Sequence, residues 1–386
     1  MNRELATNVV SQRRPTIGFL RRGYSATGGA EAYLSRLAEG LLSQGYRVVL
    51  LGTGDWPKDA WPGREVVVLP GASLQKFATA VFNYKNKGSI HLDLLFSMER
   101  VPGCDIFRAG DGVHAAWLHH RKRKKAAWKR WIAAKMPQHR DVLALERELF
   151  SPEQKTRIIA NSAMVAREIA KHFSFPKTQI DIIPNGVPPI EQLTQEERLA
   201  VRDTLGIAKE ECMVLFVGSG WERKGLHVAI KALERAVTVA PEMRLWVAGK
   251  GPARHYRAPF LRFLGPVKKM PLLYAAADIF ILPTLYDPFA NASLEALAAG
   301  LPVMTSATNG CSEIITEGVH GSIIQDPSDV ESFAAALVVW HKRLKNKEEA
   351  AAIHQGCARL GSSFSCEKNL EATLKIIQQV LEEKNN

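Results

Sequence analysis

FVGSGWERKGLHVAIKAL, Phe216 to Leu233, holds the unit from which the fold is read. An apolar β-rich run ends at Val217 and a glycine-containing loop follows. Arg223 and Lys224 stand directly before a helix that begins near Gly225. Two cations beside the unpaired amides of a helix start make a site for a diphosphate, with Arg offering a planar fork and Lys a point charge. Taken alone, the same pair is also an ordinary solvated turn.

The alternation continues in both directions. TIGFL, RVVLLG, EVVVLP, DLLFSM, DIFRAG, RIIANS and QIDIIPN precede this unit, and RLWVAGKG, FLRFLG, DIFILPT, PVMTSA and GSIIQ follow its own strand, MVLFVGS. Near-continuous apolar strands separated by helical segments predict parallel sheets covered on both faces. Two helices show the 3.6-residue period: Leu34, Leu37, Ala38, Leu41 and Leu42 form one stripe, and Leu370, Leu374, Ile377 and Leu381 another.

A chain of 386 residues is long enough for two domains, each with its own core. PNGVPPIEQLTQEERLA, Pro184 to Ala200, joins a turn signal and three prolines to a charged helix, and a new strand opens at Met213. That stretch is the expected boundary. The predicted architecture is two doubly wound α/β domains with a ligand cleft between them.

Hydrophobic residues make up 46% and charged residues 23%, with no apolar run near the roughly 18 residues a membrane span needs. MNRELATNVVSQRRP lacks the apolar core of an export signal, so residues 1–15 read as a loose leader and the chain as cytoplasmic. Cys104, Cys212, Cys311, Cys357 and Cys366 show neither disulfide nor zinc spacing.

YSATGGAEAYLSRL sets Gly28 and Gly29 between a strand and a helix bearing Glu31 in its first turn. Paired glycines allow a sharp turn and close ligand approach to the helix-start amides. A tight turn with no ligand fits equally. Neither GTGDWP nor GSGWER completes a dinucleotide fingerprint, and a Walker A loop is absent. In LYDPFANASLEALAAGLPV, Asp287 belongs to a loop and Glu295 to the first turn of a helix closed by Gly300 and Pro302. Singly, Asp287 reads as a loop acid and Glu295 as a helix-start acid gaining roughly 0.3 to 1 kcal/mol from the dipole.

Together, GGAE, RKG, VAGKGP and an acid-x7-Glu element followed by LAAGLPV occur in a distinctive order. The chain resembles the retaining GT-B glycosyltransferases of family 4 from about Thr16 to its last helix. MERVPGCDIFRAGDGVHAAW and ALERELF are further similar to members that move glucose onto an inner-core heptose of lipopolysaccharide.

The resemblance implies an N-terminal Rossmann-like acceptor domain, 16–187, and a nucleotide-sugar domain, 188–365. A final helix, 366–386, would return to the N-terminal domain. It also implies a UDP-glucose donor, a lipopolysaccharide or other lipid-linked glycan acceptor, no cofactor and no metal. Glu295 would hold the ribose hydroxyls. Arg223 and Lys224 would neutralise the diphosphate as the glycosidic bond breaks. Asp287 would sit by the sugar hydroxyls, and backbone amides of Ala290, Asn291, Ala292, Ser293 and Leu294 would hold sugar and phosphate. Phe263 and Leu264 would border the base, and Gly28 and Gly29 would close over the diphosphate. The first acid of the element is usually Glu, so the shorter Asp287 would need a backbone shift or a water to reach the sugar.

On the acceptor side, Asp111 and His114 follow a strand end that faces the cleft. Asp111 would act as base or positioning group, and His114 would lie near the reacting carbon. A turn-forming Asp-Gly and a packing histidine are the plainer readings.

Nine of the cations behind the net charge of +12 fall between His119 and Arg140, a window with no acid. They are Arg121, Lys122, Arg123, Lys124, Lys125, Lys129, Arg130, Lys135 and Arg140, interleaved with Trp128, Trp131 and Ile132 on one helical face. This reads as a segment that meets an anionic membrane surface, which a lipid-linked acceptor requires. Nucleic-acid binding is the alternative from another class.

Overall fold

The computed structural model describes residues 14–25, 29–57, 59–122 and 137–385. Gly28 and residues 123–136, most of the basic window, lie outside them. All thirteen β-rich runs are strands.

Seven form the first sheet: β1 (Thr16–Leu20), β2 (Arg47–Gly52), β3 (Val66–Val68), β4 (Leu94–Ser97), β5 (Ile106–Ala109), β6 (Arg157–Ala160) and β7 (Ile180–Ile182). Six form the second: β8 (Cys212–Val217), β9 (Met243–Ala248), β10 (Leu261–Gly265), β11 (Ile279–Leu282), β12 (Val303–Ser306) and β13 (Gly321–Ile324). The helices are α1 (Gly29–Ser43), α2 (Leu74–Lys87), α3 (His114–Lys122), α4 (Pro137–Leu149), α5 (Ala163–Phe173), α6 (Gln195–Thr204) and α7 (Trp221–Lys224). They continue with α8 (Leu226–Ala236), α9 (Met270–Ala276), α10 (Asn291–Ala298), α11 (Val330–Leu344), α12 (Lys347–Ser362) and α13 (Cys366–Asn385).

Strand order is β3-β2-β1-β4-β5-β6-β7 and β10-β9-β8-β11-β12-β13, parallel throughout. Order therefore reverses between β1 and β4 and between β8 and β11. Loops leaving the carboxyl ends of strands diverge at such points and open a crevice, and the two crevices face each other here.

Each sheet is sandwiched by helices. Leu34, Leu37, Ala38 and Leu41 of α1 pack against Ile17, Val48 and Leu50 on one face of the first sheet, and Phe77, Val81, Leu149 and Val165 cover the other. Leu42, which the periodicity places in the α1 stripe, is exposed.

The chain crosses between domains twice at one place. Val187 N donates to Phe364 O at 2.9 Å and Cys366 N to Val187 O at 3.2 Å. Beyond that crossing α13 returns to the first domain, where Leu374, Ile377, Val380 and Leu381 join its core. Each such side chain removed from water contributes roughly 1.5 to 3 kcal/mol, so four suffice to bind the helix there. The five cysteines are buried free thiols. Among the described residues no helix is long and apolar enough to cross a membrane.

Candidate active site in the interdomain cleft

A cavity of about 820 Å³ opens between the two sheets, lined on one side by Gly29, Tyr33, Arg108 and Asp111 and on the other by Lys224 and Asp287. β8 delivers Gly218 and Ser219, then the single turn α7, whose last residues are Arg223 and Lys224. Gly225 ends that turn at φ 78°, and a Cβ there would lie 1.8 Å from the carbonyl oxygen of Pro283. Only glycine lets α7 sit against the loop after β11.

That loop brings Asp287 to the cations. Lys224 Nζ lies 2.5 Å and Arg223 Nη1 2.8 Å from Asp287 Oδ2. Burial alone would raise the Asp287 carboxyl, but Lys224 and Arg223 together hold it below the usual carboxylate range. The peptide is pinned as well: Asp287 N donates to Thr308 O at 3.0 Å and Gly310 N to Asp287 O at 2.8 Å. Its carboxylate thereby holds the two cations at the edge of the cavity.

α10 begins at Asn291, so Glu295 is its fifth residue and lies in the second turn rather than the first. The simple dipole account fails for it, since that effect falls off within the first turn. Glu295 Oε2 accepts from Tyr274 Oη at 2.7 Å. Burial raises the Glu295 carboxyl, and the Tyr274 hydroxyl draws it partly back. The amide run is also narrower than expected. Ala290 N is bonded to Asn309 Oδ1, and Ser293 N and Leu294 N both turn back to Ala290 O. Asn291 and Ala292 keep their helix-start amides for a ligand, and both line the cavity. Across it lies the start of α1, with the Cβ position of Gly29 3.7 Å from Asn291 Nδ2. Two helix N-termini from different domains thus face one space.

Phe263, Leu264, Ser293, Leu294 and Glu295 stand outside the cavity lining. Phe263 stacks on Trp221, with ring centroids 5.2 Å apart. Leu264 is half-buried against the second core.

Asp111 sits in the turn after β5 with 80% of its side chain exposed, 4.0 Å from Arg100 Nη1. His114 starts α3, its Nε2 3.1 Å from His139 Nδ1, and its ring stacks on Trp117. Burial, then the Arg100 and His139 charges, push the His114 imidazole down to about 4, so it is neutral at ordinary pH. Glu146, which motif reading did not mark as a site residue, organises this corner. Its buried carboxylate accepts from Arg100 Nε at 2.9 Å and from the His114 and Ala115 amides at 2.6 and 3.2 Å, capping α3. Only its place in ALERELF hinted at it. Asn309, also unmarked, is fully buried and uses its whole amide: Oδ1 accepts from Ala290 N and Cys311 N, and Nδ2 donates to Ser293 and Thr305 hydroxyls.

The domains touch through Tyr286, next to Asp287. Its hydroxyl accepts from Val113 N at 3.1 Å and donates to Glu168 Oε2 at 2.7 Å. Gly112 makes room, since a Cβ there would lie 2.5 Å from that hydroxyl. Burial pushes Glu168 up to about 7, partly offset by the Tyr286 hydroxyl and Arg167, while Glu146 adds to the rise. His120 Nε2 lies 3.9 Å from its other oxygen. A carboxyl raised in this way stabilises the fold fully below the ordinary value of 4.5, and that contribution is lost as pH rises through about 7. Glu168→Gln should therefore melt at a temperature closer to wild type near pH 5 and above it near pH 8. Parallel melting curves across the range would show that Glu168 does not titrate there.

Two family models match in succession, Glycosyltransferase Family 4 over residues 27–190 and Glycosyl transferases group 1 over 211–342. The chain belongs to the GT-B glycosyltransferases of this group. It is 24% identical over 340 residues to the lipopolysaccharide glucosyltransferase WaaG of Escherichia coli K12, covering 83% of this chain and 88% of that one. The crystal structure of WaaG superposes with a TM-score of 0.77 at 22% identity, over 94% of this chain and 99% of WaaG. An uncharacterised glycosyltransferase of Methanocaldococcus jannaschii is 31% identical over 201 residues, 48% of this chain, and the match spans 51% of that protein's length. Anabaena HepE, solved in complex with UDP-glucose, superposes with a TM-score of 0.70 at 17% identity, over 94% of this chain and 99% of HepE.

Proposed function

We propose that the chain is a retaining hexosyltransferase that moves glucose from UDP-glucose to an inner-core heptose of lipopolysaccharide, without a metal, at the cytoplasmic face of the membrane. The observation that carries the reading is the convergence of Arg223 and Lys224 on the buried carboxylate of Asp287, in a cleft faced by two helix starts. Breaking the glycosidic bond leaves a diphosphate with one more negative charge than it had in the donor. Cations already held in place, in a site of low dielectric, stabilise that charge without reorganising. Asp287 does the holding, and the amides of Asn291 and Ala292 add donors without side-chain entropy.

In a front-face transfer the acceptor hydroxyl hands its proton to the departing phosphate. Exposed Asp111 then orients that hydroxyl, and neutral His114 offers an uncharged neighbour to the reacting carbon. Similarity to WaaG over 83% of this chain and 88% of that protein supports the glucose donor and the lipopolysaccharide acceptor. The basic window, which begins in the last turn of α3, supports membrane docking on the acceptor side. Another lipid-linked or polysaccharide acceptor is the alternative within the same chemistry.

Calorimetric titration with UDP, ADP, GDP and TDP and their glucose conjugates, in chelator, tests the donor. Binding of the uridine compounds alone is the expected result. Glucose transfer to a heptose-terminated core, and none to core lacking heptose, tests the acceptor. Equal binding of all four bases, or binding only with added divalent metal, would sink the donor assignment.

A further inference from the structure

β5 carries a charge inside the first sheet. All four of its residues are buried, and the third, Arg108, is 4% exposed. Its guanidinium carbon lies 4.1 Å over the Tyr33 ring, Nη1 donates to Tyr33 Oη at 3.3 Å, and Nη2 donates to Asn185 Oδ1 at 2.6 Å. These bonds use two of the five N–H donors of a guanidinium, and both acceptors are neutral.

None of the ion pairs within 4.0 Å among the described residues includes Arg108. Arg202, equally buried at 4%, has Asp278 at 3.0 Å. Arg100, in the same cavity as Arg108, has Glu146 at 2.9 Å. A buried cation without a counter-ion is costly unless something supplies one, and the cavity that Arg108 lines is where an anion enters.

The surroundings indicate which anion. Arg223 and Lys224 share one carboxylate, so that wall keeps a single net positive charge, whereas a sugar diphosphate brings two negative charges. Asn185, which accepts from Arg108, donates in turn to Asn291 Oδ1 at 2.6 Å. The guanidinium is thus two hydrogen bonds from the start of α10, whose unpaired amides face the same space.

We propose that Arg108 is an anion-binding residue of the cleft. Its guanidinium takes a phosphate oxygen of a bound substrate and supplies, from the N-terminal sheet, the charge that Arg223 and Lys224 leave unbalanced. The phosphate belongs either to the donor diphosphate or to a phosphorylated acceptor. The inference rests on the cleft being a nucleotide-sugar site, and the experiment separates the two.

Arg108→Gln keeps hydrogen-bond capacity towards Asn185 and Tyr33 and removes the charge. The probes are UDP, inorganic pyrophosphate, and acceptor with and without its phosphates. Loss of a charge-assisted bond to phosphate should weaken the affected ligand about tenfold or more. Weakened UDP and pyrophosphate place the phosphate on the donor. Unchanged UDP with a raised KM for phosphorylated acceptor alone places it on the acceptor. Either result supports the proposal. The melting temperature of the unliganded Gln variant should equal or exceed that of wild type, because an uncompensated buried charge has gone. A merely structural strut behaves oppositely, with a lower melting temperature and every affinity within about twofold of wild type, and that outcome overturns the proposal. If the Gln variant does not fold, Arg108→Met, similar in length and uncharged, takes its place, and unchanged affinities there overturn the proposal equally. Wild-type protein that binds pyrophosphate through Arg108 but does not prefer UDP would remove the nucleotide-sugar reading and leave this one standing.

Discussion

Lys224→Ala should lower turnover by roughly 10²- to 10³-fold, the range found when one preorganised donor is removed from a developing negative charge. Its ammonium is fixed 2.5 Å from Asp287 Oδ2 with 12% of the side chain exposed, so it acts from a dry position and water does not replace it well. The same substitution leaves Asp287 with Arg223 as its remaining cation. Removing one partner from a buried pair costs up to about 3 to 5 kcal/mol, less where a second cation stays, so the melting temperature should fall too. The double variant Lys224→Ala, Asp287→Asn separates the two effects. Neutralising the stranded carboxylate restores stability, while turnover stays low. Turnover within about threefold of wild type in the single variant would move the leaving-group site elsewhere. Recovery of turnover together with stability in the double variant would show that Lys224 acts only by keeping Asp287 folded.

Glu295→Ala should weaken UDP binding by about a hundredfold or more, since each hydrogen bond to a charged carboxylate contributes roughly 1.5 to 3 kcal/mol and a ribose offers two. Glu295 is held on α10 by the Tyr274 hydroxyl at 2.7 Å, outside the lining of the cavity, so the variant tests whether its carboxylate reaches the ribose. Deoxyribose analogues of UDP make the test specific. Wild type should bind them poorly, and the variant should no longer distinguish them from UDP. If Glu295 only supports Tyr274, the variant will melt lower and bind UDP as wild type does. That result would withdraw the ribose assignment.

Much of the fold was legible because its signals are local. A parallel strand covered on both faces is a short apolar run, and each of the thirteen runs is visible without knowing its neighbours. The Gly218 to Gly225 loop and the Asp287 loop were legible for the same reason, because turn chemistry is written in adjacent residues. The position of Glu295 within α10 was misjudged by one turn. Asn291 and Ser293 are both capping residue types, and a helix capped at either would put Glu295 in its first turn, but the helix opens one residue earlier on Ala290 with no side-chain cap. The amides of Ala290, Ser293 and Leu294 stand beside a helix start in the sequence, and only the fold shows that Asn309 and the turn itself take them.

Glu146, Asn309, Tyr286 and Arg108 were beyond such reading. The Tyr286 hydroxyl meets Glu168 118 residues away in sequence, Arg108 meets Tyr33 75 away, and Arg100 meets Glu146 46 away. Nothing in a linear pattern encodes those partners. Only the folded sheet shows that Arg108 is enclosed, with neutral hydrogen-bond partners and no ion pair among the described residues.

The sequence by itself determined the alternation of strand and helix, the two-domain division and the family, because apolar period, turn residues and motif order are properties of neighbouring residues. The tertiary structure decided which charges meet. Coulomb energy depends on distance and burial, and both are set when the loops after β8 and β11 converge, the domains close on Tyr286, and β5 carries Arg108 into the wall of the cleft.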